Sequence, residues 1–372
     1  MRVLQIISSL SSGGAEVFVA QLTAALSTKC DVKLLTYAGE LDKKGVFLKE
    51  YLQEKGVDYK TLNAKSYISR LMVPFSFAKE IKKFKPDVVH VHLTRSEQFL
   101  YLSSLISGKK YKSVRTKHDE TPYPEFILNK YINNYFDFNI ACSSSALDPL
   151  IDLGLSDKSK IINNGVDLSA VVQSDPSDEY INNLKEKLSI PLHKKVFINI
   201  GRMHKTNDVY QKSQDLIIRS LNNLKNTNDV HVLFLGDGNG REYLEGLASE
   251  CGVDNYVRFV GVVDDVFDYL ICSDIFLMPS RWEGLPISAI EAACFGMPML
   301  VTDIKSFKLF DAGSVVKCKN ESTHDLSLSI DNMIEHYDQY KSLVQKDKDY
   351  FRSMFSIDNV SDNHIKVYRD IV

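Results

Sequence analysis

Short apolar runs alternate with helix-like stretches along almost the whole chain, and this alternation constrains the fold more than any other feature. The stretches between the runs, such as Ala15–Leu26 and Tyr67–Phe84, have the apolar spacing of helices. Such alternation indicates βαβ units, and therefore an α/β protein with parallel sheets. The predicted strands are Val3–Ile7, Val32–Tyr37, Val88–Val91, Tyr111–Thr116, Phe138–Cys142, Val196–Ile200, Val230–Leu235, Val257–Val260, Ile275–Met278, Met299–Val301 and Ser314–Val316.

The alternation pauses near residue 170. The polar stretches Asn163–Asp167 and Gln173–Asp178 precede a second series of strands that starts at Val196. A chain of 372 residues also exceeds the size at which a single hydrophobic core stops growing. We therefore predict two similar α/β domains, residues 1–170 and 171–355, followed by a helix over residues 356–372.

The composition, with 44% hydrophobic and 25% charged residues, is typical of a soluble globular protein. No apolar run reaches about 18 residues, the length of a membrane-spanning helix. The six cysteines lack a C-x-x-C pair, which favours reduced thiols and a cytoplasmic protein. Residues 1–170 carry 23 Lys and Arg against 18 Asp and Glu, whereas the remainder carries 22 against 30. The positive half can approach an anionic surface, and no nucleic-acid partner is expected.

The segment Arg281–Glu291 places two carboxylates around the predicted start of a helix. It follows the apolar run Ile275–Met278, which is typical of a buried strand. Gly284 permits a tight turn, and Pro286 suits the first helical position, where its missing N–H would have no partner in any case. A helix start presents free N–H groups and the positive end of a dipole, which favour phosphate. With Glu283 at its mouth and Glu291 deeper, such a site suits a ligand with an anionic middle and hydroxyls at both ends. A nucleotide-sugar has this layout.

Other unusual residues follow predicted strands, at the edge where open α/β sheets bind ligands. Gly13 and Gly14, before the first long helix, allow close approach of an anionic group, although they lack the dinucleotide G-x-G-x-x-G spacing. A flexible turn explains them equally well. His118 follows a strand of the first half and could contact a sugar or move a proton, but a structural histidine is an equal alternative. His90 and His92 are expected to be mainly structural.

Cations follow the first strand of the second half. Arg202 comes directly after Val196–Ile200 and suits bidentate contact with phosphate. Lys212 precedes the next helical pattern, and Lys205 competes with it for the same role. An isolated pair of Arg and Lys is more often an ordinary solvated surface pair. These cations therefore support a phosphate site only in combination with Glu283 and Glu291.

No set of residues argues for a bound metal. Asp347 and Asp349 have a D-x-D spacing, but they lie in a charged helical stretch and are interpreted as solvated. The segment Gly261–Asp264, including Val262, is expected to lie around a base, with Asp264 a possible cap of the next helix.

The segment Lys65–Lys85 combines six cations with one acid, Glu80, and several large apolar residues. This combination could lie on an anionic membrane surface. An amphipathic helix packed on the sheet is the slightly favoured alternative, and Pro74 interrupts the helical pattern.

Taken together, these motifs resemble glycosyltransferase family 4, a family of retaining enzymes with the GT-B fold. The resemblance covers nearly the whole chain, in matching order. It is carried by Glu283 and Glu291 within the Glu-Gly-Leu-Pro context and by Gly13-Gly14-Ala15-Glu16, Pro86–His92, Asn164–Asp167 and Gly201-Arg202. It implies two Rossmann-like domains facing a cleft, with the final helix returning to the first domain.

The resemblance also implies roles for individual residues. Glu291 would bind ribose hydroxyls and Glu283 the transferred sugar, while Arg202 and Lys212 would neutralise the diphosphate of the leaving group. In the first domain, His118 and Glu16 would serve the acceptor side, with His118 also near the transferred sugar. The remaining donor contacts would come from Gly13, Gly14, Lys205, Val262, Gly284, Leu285 and Pro286.

Two departures from the family pattern limit this transfer of roles. The family's Arg-to-Lys spacing is usually shorter, and here Thr206–Gln211 is interpreted as an insertion, which leaves Lys205 and Lys212 as alternatives. The loop Asp303–Ser306 lacks the Gly-Gly turn and glutamate common in relatives, so no sugar contact is carried over to it.

The leading hypothesis is a retaining glycosyltransferase that needs no metal or other cofactor. It would move a sugar from a nucleotide-diphosphate sugar, UDP-linked, to a saccharide or lipid-linked saccharide of a bacterial surface polysaccharide. Its place would be the cytoplasm, at the membrane face. The alternatives are an epimerase or phosphorylase of the same architecture, and a non-catalytic subunit that binds nucleotide-sugars.

Overall fold

Two compact units make up the chain. A computed structural model describes residues 1–123, 127–169, 176–206, 209–263 and 266–372. Unit 1 comprises Met1–Asp167 and Phe355–Val372, and unit 2 comprises Leu168–Met354. Each unit is built on a parallel sheet with helices, so the predicted α/β class with two Rossmann-like domains is confirmed.

Unit 1 contains a seven-stranded parallel sheet in the order β3-β2-β1-β4-β5-β6-β7. All five residues of β4 are buried, because helices cover both faces of the sheet. The core includes Leu4, Ile6, Phe77 and Val91. The strands are β1 (Arg2–Ile7), β2 (Asp31–Thr36), β3 (Asp58–Thr61), β4 (Val88–His92), β5 (Lys112–Lys117), β6 (Phe138–Ala141) and β7 (Ser159–Ile161). The helices are α1 (Gly14–Ser27), α2 (Lys43–Glu54), α3 (Tyr67–Leu71), α4 (Val73–Phe84), α5 (Thr94–Ser107), α6 (Ile127–Tyr135), α7 (Ser144–Asp152) and α15 (Ile357–Ile371).

The last helix, α15, belongs to unit 1. The backbone of Val166 accepts from Ile357 N at 3.0 Å and donates to Phe355 O at 2.9 Å, which ties the returning chain to the end of the first segment. Lys29 donates to Ser361 Oγ and pairs with Asp362, both at 2.7 Å, and so fastens α15 to the end of α1.

Unit 2 contains a six-stranded parallel sheet in the order β12-β11-β8-β13-β14-β15. Its core includes Phe197, Ile217, Phe234, Leu277 and Leu300. The strands are β8 (Lys195–Ile200), β9 (Lys205–Thr206), β10 (Val209–Tyr210), β11 (Val230–Leu235), β12 (Val257–Gly261), β13 (Ile275–Met278), β14 (Met299–Thr302) and β15 (Val315–Cys318). The helices are α8 (Asp178–Lys187), α9 (Gln214–Leu221), α10 (Arg241–Glu250), α11 (Phe267–Ile271), α12 (Ile287–Phe295), α13 (Thr323–Glu335) and α14 (Tyr337–Phe355).

The topology of unit 2 brings two of the predicted site loops together. β8 lies between β11 and β13, so the strand order reverses there and the loops after β8 and β13 leave the same edge of the sheet as neighbours. Open α/β sheets bind ligands at such a reversal, outside the carboxyl ends of the strands. The loop after β8 carries Arg202, and the loop after β13 carries Glu283.

The structure differs from the expected elements in three places. The strands β3 and β7 were not predicted, and Thr206–Gln211 includes a short antiparallel hairpin formed by β9 and β10. The interruption expected at Pro74 is confirmed: the helical pattern Tyr67–Phe84 is split into α3 and α4 at Met72, because proline has no N–H to donate within a helix but fits the first turn of a new one. Over the described ranges, no helix has both the length and the apolar character needed to cross a membrane.

Candidate functional site

The loop that carries Glu283 runs from the buried strand β13 to helix α12. Pro286 is the N-cap residue and α12 begins at Ile287, so the prediction that Pro286 occupies the first helical position is wrong by one residue. The ring of Pro286, with φ at −72°, still directs the chain into the helix. Ser288, in the first turn, donates to Ile200 O at 3.2 Å and holds the helix start beside the end of β8.

Glu283 forms a nearly buried ion pair with Lys212. Lys212 Nζ lies 2.7 Å from Glu283 Oε1, and the two side chains are 15% and 6% exposed. The methylene groups of Lys212 cross Gly201, where a Cβ would come within 2.9 Å of them. A side chain at Gly201 would therefore disturb the path of Lys212. The structure thus brings together an acid and a cation that the sequence places 71 residues apart.

Arg281 fixes the loop immediately before Glu283. Its guanidinium binds both carboxylate oxygens of Asp215 at 2.9 Å and donates to Tyr210 O at 2.7 Å and to Glu321 Oε1 at 3.0 Å. The hydrogen bonds to Asp215 raise the pKa of Arg281 above its ordinary value. A bidentate pair restricts both partners in position and in orientation. The loop after β13 is thereby fixed to the hairpin and to the start of α9.

Gln211 adds a second link between these two segments. Its side-chain nitrogen donates to Trp282 O at 3.0 Å and lies 3.4 Å from Glu283 Oε2, while its backbone oxygen accepts from Arg281 N at 2.9 Å. Gln211 is the last residue of the segment interpreted as an insertion. That segment therefore positions Lys212 and Glu283 relative to each other.

The other cations near the end of β8 have different surroundings. Arg202 is exposed, and its backbone oxygen accepts from Gln214 at 3.3 Å. Lys205 Nζ lies 4.5 Å from the centre of the Tyr243 ring. Lys212, and not Lys205, is the lysine that the structure pairs with Glu283.

The remaining predicted donor contacts of unit 2 lie in the loop after β13, in α12 and after β12. Gly284, Leu285 and Pro286 are buried, and Glu291 is partly buried in the middle of α12. Val262 follows β12 and is 36% exposed. The predicted cap at Asp264 lies outside the described residues.

In unit 1, the loop after β1 leads into α1. Gly13 is the N-cap residue of α1, and Gly14 is the first helical residue. The carboxylate of Glu16 folds over Gly13, because a Cβ added there would collide with Glu16 Oε2. An anion at this helix start would therefore meet the Glu16 carboxylate as well as the N–H groups of the first turn.

His118 follows β5 in unit 1, and its Nε2 lies 3.0 Å from His92 Nδ1. Burial lowers the pKa of His118 to about 4; the charge of Asp119 acts in the opposite direction, and that of Lys117 lowers the pKa further. Its imidazole is therefore neutral at pH 7. His90 and His92 are fully buried in β4, in keeping with the structural role expected of them, but His92 also contacts His118 directly.

The described part of the chain holds no group of three or more His, Cys, Asp or Glu side chains arranged to bind a metal ion. Asp347 accepts from Ser314 N at 2.7 Å, and the D-x-D spacing lies within α14. Sequence reasoning missed the supporting residues Arg281, Asp215 and Gln211. The only sequence feature that pointed to any of these three residues is the position of Arg281, two residues before Glu283.

Two family models cover most of the chain. Residues 12–170 match the model of Glycosyltransferase Family 4, and residues 181–349 match that of Glycosyl transferases group 1. The chain belongs to the group 1, family 4 glycosyltransferases. It is accordingly an enzyme that transfers a sugar. The two matches fall on units 1 and 2 respectively.

Curated relatives of this glycosyltransferase extend over most of its length. It is 27% identical to the capsular polysaccharide biosynthesis glycosyltransferase CapH of Staphylococcus aureus, over 82% of each chain. It is 24% identical to the N-acetylgalactosamine-N,N'-diacetylbacillosaminyl-diphospho-undecaprenol 4-alpha-N-acetylgalactosaminyltransferase of Campylobacter jejuni, over 92% of this chain and 90% of that protein.

Solved structures show the same fold. HepE of Anabaena, solved in complex with UDP, superimposes with a TM-score of 0.80 over 100% of both chains at 17% identity. At this identity the likeness speaks for the fold of the glycosyltransferase, which is GT-B.

Proposed function

We propose that this glycosyltransferase uses a UDP-sugar as its donor and transfers the sugar with retention of configuration, without a metal ion. The observation that carries the proposal is the buried pair of Lys212 and Glu283 beside the start of α12. A diphosphate at this helix start would meet free N–H groups, Arg202 and Lys212. The UDP complex of HepE, a protein of the same fold, supports uridine as the nucleoside.

The proposed reaction uses the donor's own diphosphate as the base. The acceptor hydroxyl attacks the anomeric carbon on the face from which the diphosphate departs, and a diphosphate oxygen takes the hydroxyl proton. The bond from the anomeric carbon to the acceptor oxygen forms as the bond to the diphosphate oxygen breaks, and the anomeric configuration is retained because both bonds lie on the same face. Arg202 and Lys212 stabilise the charge that develops on the leaving diphosphate, and Glu283 lies beside the transferred sugar.

The acceptor is proposed to be a saccharide or lipid-linked saccharide of a bacterial surface polysaccharide. CapH is a capsular polysaccharide enzyme, and the name of the C. jejuni relative specifies an undecaprenol-linked acceptor. A lipid-linked acceptor is held in a membrane, so with such an acceptor the enzyme would work at a lipid surface.

A panel of UDP-, GDP- and other nucleotide-sugars tests this proposal. We expect one UDP-sugar to raise the thermal unfolding temperature of the purified protein and then to yield UDP and a glycosylated acceptor. A free epimer or a sugar phosphate formed without acceptor would instead identify an epimerase or a phosphorylase. Binding with no turnover over a broad acceptor panel would identify a non-catalytic subunit.

Unit 1 exposes an apolar surface suited to membrane contact. We name it the α3 surface; its five large apolar side chains are 52% to 78% exposed, and α3 has no buried residue at all. Core packing therefore does not account for α3, whereas α4 buries Phe77 and Ile81 against the sheet. The α3 surface consists of Tyr67, Ile68, Leu71, Met72 and Phe75.

The α3 surface is flanked by cations whose charge is not offset by exposed acids. The only acid of segment 65–85 is Glu80, which is buried and paired with Lys60 at 2.5 Å and Lys33 at 3.7 Å. The segment's own cations are all exposed, namely Lys65, Arg70, Lys79, Lys82, Lys83 and Lys85. Apolar side chains surrounded by cations match an anionic bilayer, and we propose such a bilayer as the partner of this surface.

Replacing Lys79, Lys82 and Lys83 by glutamine is expected to weaken binding to anionic vesicles. Each cation near such a surface contributes about 1 kcal/mol, so the affinity should fall on the order of 100-fold. The measurement is co-sedimentation with phosphatidylglycerol vesicles.

The matched control removes three exposed cations from unit 2, Lys187, Lys341 and Lys346. It has the same net charge as the first variant and should bind nearly as the parent protein does. Equal loss in both variants would show that net charge, and not the α3 surface, determines binding. No binding by the parent protein would rule out the membrane partner.

A further inference from the structure

A chain of hydrogen bonds between side chains leads from His118 into the core of unit 1. His118 Nε2 lies 3.0 Å from His92 Nδ1, and His92 Nε2 lies 2.8 Å from Gln5 Oε1. The Gln5 nitrogen then donates to the hydroxyl of Tyr368 on α15, at 3.0 Å. His92, Gln5 and Tyr368 are fully buried, so water does not compete for these bonds.

The direction of each bond follows from the amide of Gln5. Its nitrogen donates to Tyr368, so the atom facing His92 is the amide oxygen, which can only accept. His92 Nε2 must therefore carry a hydrogen. A neutral imidazole has one N–H, so His92 Nδ1 is an acceptor and His118 Nε2 must donate to it. His118 is left with its hydrogen on Nε2 and a bare Nδ1.

The rings are neutral, as this assignment requires. Burial lowers the pKa of His92 well below its ordinary value, and neighbouring His90 and His118 lower it further. Burial also lowers the pKa of His118 to about 4. Neither ring carries a second proton at pH 7, so each has one donor and one acceptor nitrogen.

The far end of the chain agrees with the same direction. The Tyr368 hydroxyl accepts from Gln5, and its own hydrogen is free to donate to His90 Nδ1, 2.6 Å away. His90 Nε2 then donates to Thr116 Oγ1 at 2.7 Å. Every donor in this series of hydrogen bonds faces an acceptor. The series begins at His118, after β5, passes through Tyr368 on α15 and ends at Thr116 in β5.

The Nδ1 atom of His118 is the remaining acceptor. It is shielded from solvent, and among the described residues no group hydrogen-bonds to it. A buried imidazole nitrogen without a partner is costly unless a ligand completes it. An imidazole nitrogen without a hydrogen can accept a hydrogen bond from a hydroxyl. It cannot bond to a carbonyl or phosphate oxygen, because those atoms are acceptors as well.

We propose that Gln5, His92 and Tyr368 are positioning residues that hold His118 as its Nε2–H tautomer, so that Nδ1 accepts a hydrogen bond from a hydroxyl of the bound sugar. The assignment of a sugar as the ligand rests on the proposed function. The tautomer itself does not, since it is set by the protein alone.

Nitrogen NMR of the full chain labelled with ¹⁵N-histidine tests the tautomer without any substrate. Protonated and bare ring nitrogens have well separated shifts, and a His118→Gln variant identifies the His118 signals. We expect wild-type His118 to show a bare Nδ1 and a protonated Nε2 near pH 7. The opposite tautomer, or a charged ring, would overturn the proposal.

Two matched variants test the positioning role. Tyr368→Phe removes the partner of the Gln5 nitrogen, so the amide can turn and His118 should populate both tautomers. Tyr111→Phe removes a comparable buried hydroxyl, bonded at 2.7 Å to Tyr135 in the same unit, and should leave the His118 signals unchanged. Unchanged His118 signals in Tyr368→Phe would overturn the positioning role.

Kinetics separate this proposal from the proposed function. In Tyr368→Phe we expect kcat for sugar transfer to fall about tenfold with little change in the donor KM, as for other hydrogen-bond partners that orient a functional histidine. If the NMR result is as expected but the protein transfers no sugar, the proposed function alone is contradicted. An unchanged kcat together with mixed tautomers would contradict the role of His118 Nδ1 in transfer.

Discussion

Replacing Glu283 by glutamine is expected to lower the turnover of sugar transfer by about 10²- to 10³-fold, while donor affinity changes much less. The magnitude is that of removing one preorganised charge from a site where transition-state charge develops. Glutamine keeps the shape of the side chain and removes its charge, which also leaves the nearly buried Lys212 without its counter-charge. Steady-state kinetics with the donor found in the panel give kcat and KM separately.

Glu291→Ala serves as the complementary variant, because Glu291 is proposed to hold the ribose. It should raise the donor KM and leave kcat closer to that of the parent enzyme. Glu335→Gln is the control: Glu335 belongs to an exposed ion pair with Lys225 in the same unit. Near-normal transfer by both Glu283→Gln and Glu291→Ala would exclude the assignment of this loop to the donor.

Replacing Glu97 by glutamine is expected to destabilise unit 1 by about 3–5 kcal/mol, because it leaves a buried guanidinium without its counter-charge. Arg115, on β5, is fully buried and lies 3.0 Å from Glu97 Oε2. Asn133 and Asn139 accept from the same guanidinium at 2.8 and 2.7 Å but carry no charge. They accept hydrogen bonds from its Nη1 and Nε atoms without neutralising its charge.

Calorimetry can follow this loss. A unit of this size shifts its unfolding temperature by roughly 2–4 °C for each kcal/mol, so a fall of about 6 °C or more is expected for unit 1. Glu321→Gln, which removes an exposed partner of Arg281, should shift the transition of unit 2 by far less. The Arg115 guanidinium carbon also lies 4.6 Å from the centre of the Tyr123 ring and 5.0 Å from that of Phe136. A Glu97→Gln protein as stable as the parent would show that the asparagines and these rings suffice to hold Arg115.

The central strands of each sheet were predictable because they are buried on both faces. Val230–Leu235 and Ile275–Met278 match the predicted bounds, since a continuous apolar run marks each of them. β3 escaped prediction because Asp58–Thr61 is an edge strand with no fully buried residue. β9 and β10 are only two residues long each, too short for any periodic signal.

Only those features of the candidate site that depend on neighbouring residues in the sequence were predictable. The sequence around Glu283 already indicates a strand, a turn and a helix start, and strand-end positions indicated Arg202 and His118. The contacts that hold these residues join distant segments: Arg281 to Asp215 over 66 residues, and His90 to Tyr368 over 278. No local pattern contains such pairs. One local signal existed in Gln5, a polar residue inside the apolar run of β1, since a buried amide requires partners.

The stereochemistry of transfer tests the account most directly. The purified protein would transfer the sugar from the UDP-sugar selected by the panel in the presence of excess EDTA, and proton NMR would give the anomeric configuration of the product. The account predicts transfer unaffected by the chelator and a product with the donor's configuration. An inverted product, or transfer abolished by EDTA and restored by a divalent cation, would contradict it.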